Sequence, residues 1–433
     1  LITMKAIKLS IPVIASVLAA SSLNLSAQTF NDADSVGVPQ RAIILTGNPG
    51  ENNEHIAVLY SREGMSFDDP SAPRFLFLDR EGKVALGIGG YVKGVASYDF
   101  DGAIDDNGFV TNAIPVPADP ALRNRFGADA SHSTIFLKLV TKNSKLGRII
   151  VYVQTNFTGD DGGYGLKLKQ AYVSVGHLTA GLARSTFADG ESQAPTVDTQ
   201  GPSGQIDAKN MLFQYKTSSW HGVSAAISAE FPKADYTITA GDAEKISQRF
   251  PDIPVYVQYS WKSGNHIRLS GILRELSYRD LVAGKNRFET GWGAHFSTIA
   301  DIVGGLKFFG HVAYGKGIAH YVNDLGDIGY DLIPSDTPGK MKAPGVLAWT
   351  GGLQYNFTKD FFMSANYSYS RVYQNELIGE RAYKYAQYVA VNGFYNIIPD
   401  LMIGAEYVYG RRNDVDRFHG NANRFEAMLQ YSF

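Results

Sequence analysis

Cysteine is absent from the chain of 433 residues. Its absence excludes a disulfide framework, Cys-ligated zinc, iron–sulfur clusters, thiol catalysis and a lipid anchor on a leading cysteine. A strong net charge is lacking too: 40 Lys and Arg stand against 42 Asp and Glu, a balance of −2. No nucleic-acid partner is therefore expected, because such proteins carry a basic domain or stripe. Beyond the N-terminus no apolar run approaches the roughly 20 residues that a helical membrane span needs. Yet 44% of the residues are hydrophobic and only 19% charged, which excludes a disordered polar chain. What is plentiful is Gly (45), Tyr (25) and Phe (24), the residues of tight turns and strand faces.

The N-terminus sets the compartment. Met4 is followed by Lys5 and Lys8, an apolar stretch from Leu9 to Ala20, and the small-residue site Leu25-Ser26-Ala27. That order predicts a signal peptide over residues 1–27 and an exported mature protein.

From residue 84 to the end, apolar and polar residues alternate with a period of two. Phe425, Ala427, Leu429, Tyr431 and Phe433 share one face, and Arg424, Glu426, Met428, Gln430 and Ser432 the other. Phe361, Met363, Ala365, Tyr367 and Tyr369 alternate in the same way with Ser364, Asn366, Ser368 and Ser370. Such alternation gives each set its own sheet face. Sixteen strands are predicted, near 84–99, 133–142, 147–157, 166–175, 177–185, 210–218, 221–231 and 254–262 in the first half. In the second half they lie near 265–276, 287–297, 304–315, 345–357, 361–373, 383–396, 400–410 and 423–433. Long connections, such as 100–132, 186–209, 232–253 and 316–344, alternate with tight ones such as Ser263-Gly264. Aromatic residues, among them Trp220, Trp261, Phe357 and Tyr395, flank the short turns. Together these features predict an all-β fold: a sixteen-stranded antiparallel transmembrane β-barrel with long extracellular loops and short periplasmic turns. The barrel is assigned to residues 84–433, surrounded by the lipids of a Gram-negative outer membrane.

Residues 28–83 are expected to form a small N-terminal periplasmic element or partial plug. Within them, Arg74–Leu78 and Lys83–Ile88 read as a β-hairpin around Asp79-Arg80-Glu81-Gly82, and Ile56–Tyr60 as a further strand. The glycines at Gly87, Gly89 and Gly90 suggest close packing at a strand or subunit contact.

A barrel of sixteen strands leaves an aqueous channel, so the expected function is a diffusion pore and not an enzyme. The alternation places Lys93, Lys138, Arg148, Lys167, Lys169, Lys216, Arg268, Arg274, Arg287 and Lys307 on the lumen face. Asp99, Glu230, Glu289, Glu406 and Glu426 share that face. The basic excess predicts a preference for small anionic solutes. Three rival readings are a substrate-specific facilitator with a binding site in the lumen, an adhesin or purely structural barrel, and an outer-membrane barrel enzyme. No nucleophile–base signature stands out for the last. Loop 186–209, rich in Gly, Pro and Asp, is the expected constriction, because a loop of that length is ordinarily functional. Asp99, Asp101 and Asp105 offer hard oxygen ligands suited to calcium, without the EF-hand spacing. His295 and His311 are placed inward on neighbouring strands. No cofactor is expected.

One block carries a family resemblance. Ala183-Arg184-Ser185-Thr186-Phe187-Ala188-Asp189, then Pro195-Thr196-Val197-Asp198 and Gly201-Pro202-Ser203-Gly204, resembles the DcaP-like family of outer-membrane trimeric porins. The preceding Leu166-Lys167-Leu168-Lys169-Gln170-Ala171-Tyr172 is similar to that family's basic strand, with Gln170 in place of a frequent His. The resemblance implies a homotrimer and a third loop folded into the lumen. It also implies basic pore residues, here Lys167, Lys169 and Arg184, that admit small carboxylates. On the loop, Asp189, Glu191 and Asp198 would face that basic wall. A helical coiled-coil-like extension common in the family has no counterpart in residues 28–83, which contain Pro39, Pro49, Pro70 and Pro73 and no heptad.

Overall fold

The computed structural model describes residues 43–46, 52–70, 72–104, 108–159, 164–262 and 264–433. The predicted signal peptide, 1–27, and Asp105 lie outside them.

Sixteen strands form the wall. The first eight are β1 (Val84–Asp101), β2 (Thr134–Asn143), β3 (Gly147–Gly159), β4 (Gly165–Val175), β5 (Leu178–Arg184), β6 (Lys209–Lys216), β7 (Val223–Glu230) and β8 (Ile253–Lys262). The second eight are β9 (Asn265–Asp280), β10 (Lys285–Val303), β11 (Leu306–Lys316), β12 (Gly345–Asn356), β13 (Phe361–Val372), β14 (Tyr383–Ile398), β15 (Leu401–Asp414) and β16 (His419–Ser432). Each pairs antiparallel with the next, and β16 closes the ring on β1 with Gln430 opposite Lys93 and Glu426 opposite Ser97. Closure is completed by the last residue, whose backbone exchanges two hydrogen bonds with Gly90 at 2.8 and 2.9 Å.

Alternation has its expected physical effect. On β9, Ile267, Leu269 and Leu273 face outward and are exposed, while His266, Arg268, Ser270 and Arg274 face inward and are buried. An apolar outer band with a polar interior suits a wall solvated by lipid outside and by water and polar loops inside. No helix among the described residues is long and apolar enough to cross a membrane.

The wall is uneven. β5, β6 and β7 have seven or eight residues, whereas β9 and β10 have 16 and 19. The latter two run beyond their predicted ends because the ladder continues above the apolar band, pairing Arg279 with Asn286 and Asp280 with Lys285. Loop 281–284 between them is consequently short.

Below β1 the N-terminal hairpin is present: Phe75–Leu78 pairs with β1, with Phe75 opposite Ile88, and Ile43–Thr46 adds a parallel strand. The predicted strand at Ile56–Tyr60 is instead a helix, α1 (Asn53–Leu59). Its His55, Ile56 and Leu59 share one face at helical spacing, and Ile56 and Leu59 pack against Leu76, Leu78, Ala85 and Val140. The tertiary apolar surface, made of the hairpin and the inner faces of β1 and β2, selects the helix.

Candidate functional site

Loop 185–208, between β5 and β6, folds into the barrel and is held along its length. Ser185 Oγ and Thr186 N–H donate to the buried Glu230 carboxylate at 3.0 and 2.9 Å. The fully buried Phe187 ring lies 5.5 Å from that of His295 and 5.6 Å from that of Tyr321. Asp189 accepts from Ser297 at 2.6 Å and sits 2.9 Å from His266 Nε2. The Pro195 carbonyl accepts from Ser364, Asn366 and Asn392. Val197 and Asp198 N–H donate to Glu406 at 3.1 and 2.8 Å. These partners belong to β7, β9, β10, β13, β14 and β15, so the loop crosses from one wall to the opposite one.

A second segment crosses from the other end. After α1, residues 60–70 run through the lumen as a strap. Lys138 Nζ of β2 donates to the carbonyls of Leu59 and Ser61 at 3.4 and 3.2 Å. Glu63 pairs with Lys216 of β6, and Gly64 N–H donates to Glu191 of the loop. Phe67 meets Phe362 of β13 and Phe394 of β14 edge-on, at 6.1 and 5.1 Å. Asp68 lies 3.8 Å from Lys93, and Asp69 lies 3.0 Å from Arg184. Contacts with β6 on one side and β14 on the other mean that the strap spans the channel.

The glycines of β1 make room for it. A Cβ at Gly87 would lie 2.6 Å from Pro73 Cγ, and one at Gly89 would lie 2.8 Å from both Pro73 Cα and the Phe433 carbonyl. Their close packing is thus with Pro73, just beyond the strap, and with the last residue of the chain.

Between strap and loop remains a cavity of about 100 Å³. Lys93, His132, Gln154, Asn156, Lys169 and Lys209 line its wall side; Asp68 and Asp69 belong to the strap, and Gln193, Thr196, Thr199 and Asp207 to the loop. Burial deep in the barrel raises the Asp68 carboxyl to about 6, against the pull of Lys93 and with the push of Asp69. About 45% of that side chain is open to the lumen, whose water moderates the shift. Burial would raise Asp69 also, but Arg184 and Lys209 outweigh it and hold the carboxyl at about 2. Burial, with Lys93 and Lys169 nearby, lowers His132 to about 4 and keeps its imidazole neutral.

The cavity's carboxylates are all engaged. Asp68 faces Lys93, Asp69 faces Arg184, and Asp207 pairs with Arg184 and with Lys209 at 3.7 Å. Lys167 and Lys169 show no ion pair among the described residues. Both reach the lumen because β4 carries a bulge. Gln170 pairs with Gln154, Leu168 with Thr155 and Lys167 with Asn156, so Lys169 is the extra residue.

The structure gathers some expected site residues here and disperses others. Arg184, Lys167 and Lys169 lie at or beside the cavity. Arg148 does not: it pairs with Lys142 beside the turn at 144–146, eight residues along β3 from the Asn156 that faces Lys167. That separation is about 26 Å at strand rise. Lys138 and Lys216 are taken up by the strap. Arg268 lies 3.6 Å from Asp189, donates to the Ala188 carbonyl and covers the Tyr256 ring at 4.3 Å. Arg274 is fully buried beneath the outer loops, 3.0 Å from Asp252 and 2.8 Å from Asp331, where it clamps loops and meets no open water.

The loop's acids also turn away from Lys167 and Lys169. Asp189 and Glu191 face His266, while Asp198 is buried, accepting from Phe109 N–H at 2.8 Å and Tyr388 hydroxyl at 2.9 Å. Asp189 is held below the usual carboxylate range because Arg268 and the His266 and Ser297 hydrogen bonds outweigh burial. The acids that do border the cavity, Asp68, Asp69 and Asp207, were not singled out from sequence. The available signal was an Asp-Asp-Pro segment preceding a strand with glycines at Gly87 and Gly89 on one face. Of the residues in the calcium reading, Asp99 and Asp101 are engaged by arginines. Asp99 is bound by Arg424 at 2.6 Å and Arg125 at 3.3 Å, and Asp101 by Arg123 at 3.0 Å. The His295 and His311 rings lie 5.5 Å apart at a tilt of 59° and are buried, His295 against Phe187.

A model of the porin subfamily matches residues 121–430. No curated protein sequence matches the chain. Solved structures share its fold. The outer membrane channel DcaP of Acinetobacter baumannii aligns with a TM-score of 0.71 at 18% identity, over 82% of this chain and 98% of that one. The anion-selective porin from Comamonas acidovorans aligns at 0.51 and 12% identity, over 81% and 100% of the respective chains. The trimer form of OmpT from Vibrio cholerae gives 0.50 and 11%, again over 81% and 100%.

Proposed function

The chain belongs to the porin subfamily and forms an outer-membrane diffusion channel, and we propose that this channel favours small anionic solutes, carboxylates above all. One observation carries the reading: the acids bordering the cavity are each matched by Lys93, Arg184 or Lys209, whereas Lys167 and Lys169 have no ion-pair partner among the described residues. The charge left to act on a solute is positive. In a narrow passage with low-dielectric walls such charge concentrates counter-ions. A structural neighbour is named an anion-selective porin, which agrees with this sign. The test is a planar-bilayer recording across a salt gradient, with a reversal potential of anionic sign expected. A potential at zero or of cationic sign refutes the preference.

We further propose a homotrimer. Strands of seven or eight residues, tilted by about 40°, reach roughly 18 Å along the barrel axis, less than the roughly 25 Å apolar band of an outer-membrane barrel. The side formed by β5–β7 is therefore too low to face lipid alone, and sister copies would cover it. One structural neighbour is described as a trimer form. Native mass in mild detergent decides, and a monomer contradicts the proposal.

Family and fold point to a channel rather than an enzyme. The strap favours a narrower second reading, a facilitator with a solute site between strap and loop. Saturable block of single-channel current by a carboxylate would support it, and block that rises linearly with concentration would count against it.

A further inference from the structure

Outside the cavity between strap and loop, three side chains with metal-binding chemistry converge from two long loops. Asp235 comes from loop 231–252, His320 and Asp327 from loop 317–344, and one donor atom of each lies within 4.8 Å of the others.

His320 is the informative member. Its side chain is 9% exposed, and Nε2 lies 3.5 Å from Asn210 Oδ1. The Asn210 amide nitrogen donates to Glu230 at 2.9 Å, which turns its oxygen toward the imidazole and puts the ring proton on Nε2. Nδ1 is then the lone-pair nitrogen. It has no hydrogen-bond partner and faces Asp235 Oδ2 at 3.9 Å, too far for a hydrogen bond. A lone pair aimed at carboxylates across such a gap is repulsive unless a proton or a metal cation stands between them. One ring nitrogen tied to an amide oxygen and the other free is how a protein orients a metal-ligating histidine.

The surrounding groups leave that gap open. Lys245 Nζ lies 3.6 Å from Asp235 Oδ1, the oxygen other than the one facing His320. Asp327 N–H donates to Asp235 Oδ2 at 3.2 Å and brings its own carboxylate alongside. Asp331 accepts the His320 backbone N–H and is paired with Arg274, so it is not available as a ligand.

We propose that Asp235, His320 and Asp327 bind a first-row divalent cation of the zinc class and so tie loop 231–252 to loop 317–344. One imidazole with two carboxylates matches zinc and its neighbours, whereas calcium takes six to eight oxygens. Donors bound at about 2.0–2.2 Å sit roughly 3.4 Å apart, so the three must close by about 1.5 Å. Asp327 is exposed and can do so by changing rotamer, leaving water for the fourth position. The tied loop also carries Tyr321, which packs on Phe187 of the constriction.

The test uses the full-length protein in detergent, stripped of metal and titrated with Zn2+ by calorimetry and with Co2+ by visible absorption. One ion per chain is expected, with d–d bands of a site containing nitrogen. Asp327→Asn and His320→Gln are each expected to weaken binding by roughly tenfold or more, as loss of a ligand should at least match loss of an outer-shell partner. The exposed Asp327→Asn leaves the fold intact, checked by heat-dependent gel mobility. The proposal is overturned if the wild type binds neither metal, or if both variants bind as tightly as the wild type.

Discussion

Arg184, at the end of β5, lies 3.0 Å from Asp69 of the strap and also pairs with Asp207 on the returning limb of the constriction loop. One guanidinium thus joins wall, strap and loop. Its side chain is 11% exposed, and removing one partner of a nearly buried pair costs about 3–5 kcal/mol. Arg184→Ala should therefore free the strap, seen as protease cleavage within residues 60–70 and raised single-channel conductance. Unchanged protection and conductance would show that the other contacts suffice.

The strap also masks charge. Replacing residues 61–70 by a Gly/Ser linker of equal length should enlarge the conductance and strengthen anion preference, because Lys93, Lys138, Lys216 and Arg184 lose acidic or carbonyl partners. Bilayer recordings read both effects. A smaller current in a normally folded barrel would contradict the arrangement.

Among the described residues, Lys167 and Lys169 supply the unmatched charge. A unit charge pair at 4 Å is worth about 4 kcal/mol at the effective dielectric near a protein surface. Lumen water and a Debye length of about 8 Å leave only part of that. Even about 1.4 kcal/mol changes local anion occupancy roughly tenfold. Lys167→Glu with Lys169→Glu should move the reversal potential toward cations and slow carboxylate uptake. Wild-type selectivity in the folded double variant would transfer the role to Lys209 and Lys93.

Selectivity should depend on pH with a definite sign. Asp68 is raised toward about 6, so it is ionised at neutral pH and loses its charge as the pH falls through its folded value. Its neutralisation leaves Lys93 unmatched, and the anion-to-cation permeability ratio should rise between pH 7.5 and 5. His132, lowered to about 4, stays neutral across that window. The native state holds this proton more tightly than the unfolded chain does, so the same group contributes stability at low pH that is lost as pH rises toward 6. Asp68→Asn should abolish the step in selectivity, and a step of equal size in that variant would assign it to another group.

Gly89→Ala tests the packing beneath the strap. The added Cβ would meet Pro73 Cα, the Phe433 carbonyl and the Phe136 ring at 2.8, 2.8 and 2.9 Å. Two of these are backbone atoms, so the seam must shift, at a typical cost of about 1–3 kcal/mol. A lower unfolding temperature on heated gels is expected. Gly94→Ala, where nothing lies within 4 Å, is the matched control.

Much of the barrel was readable because a period of two has only one sheet interpretation when both faces are long and distinct, as at Phe361–Val372. Loop 186–209 was readable from its Gly, Pro and Asp content. Reading failed where tertiary partners decide. Asp68 and Asp69 look like turn residues, and nothing near them in sequence announces Arg184, 115 residues beyond Asp69. α1 is too short for its period to be distinctive, and its burial depends on Leu76 and Val140. Arg148 shares a lumen-facing parity with the true cavity residues, but parity does not give height along the axis. Asp198 needed knowledge of Tyr388 and Glu406 across the barrel before its direction was defined.

The hydrogen bonds between Gly90 and Phe433 have a consequence for how the barrel assembles. The first wall strand and the final residue meet only when every intervening strand is in place, so ring closure carries the longest contact of the fold and the largest loop-closure entropy. Until that moment β1 presents an unpaired edge able to take up a foreign strand. The hairpin at Phe75–Leu78 occupies part of that edge from the chain's own N-terminal side, shielding it while the C-terminal strand is still being delivered.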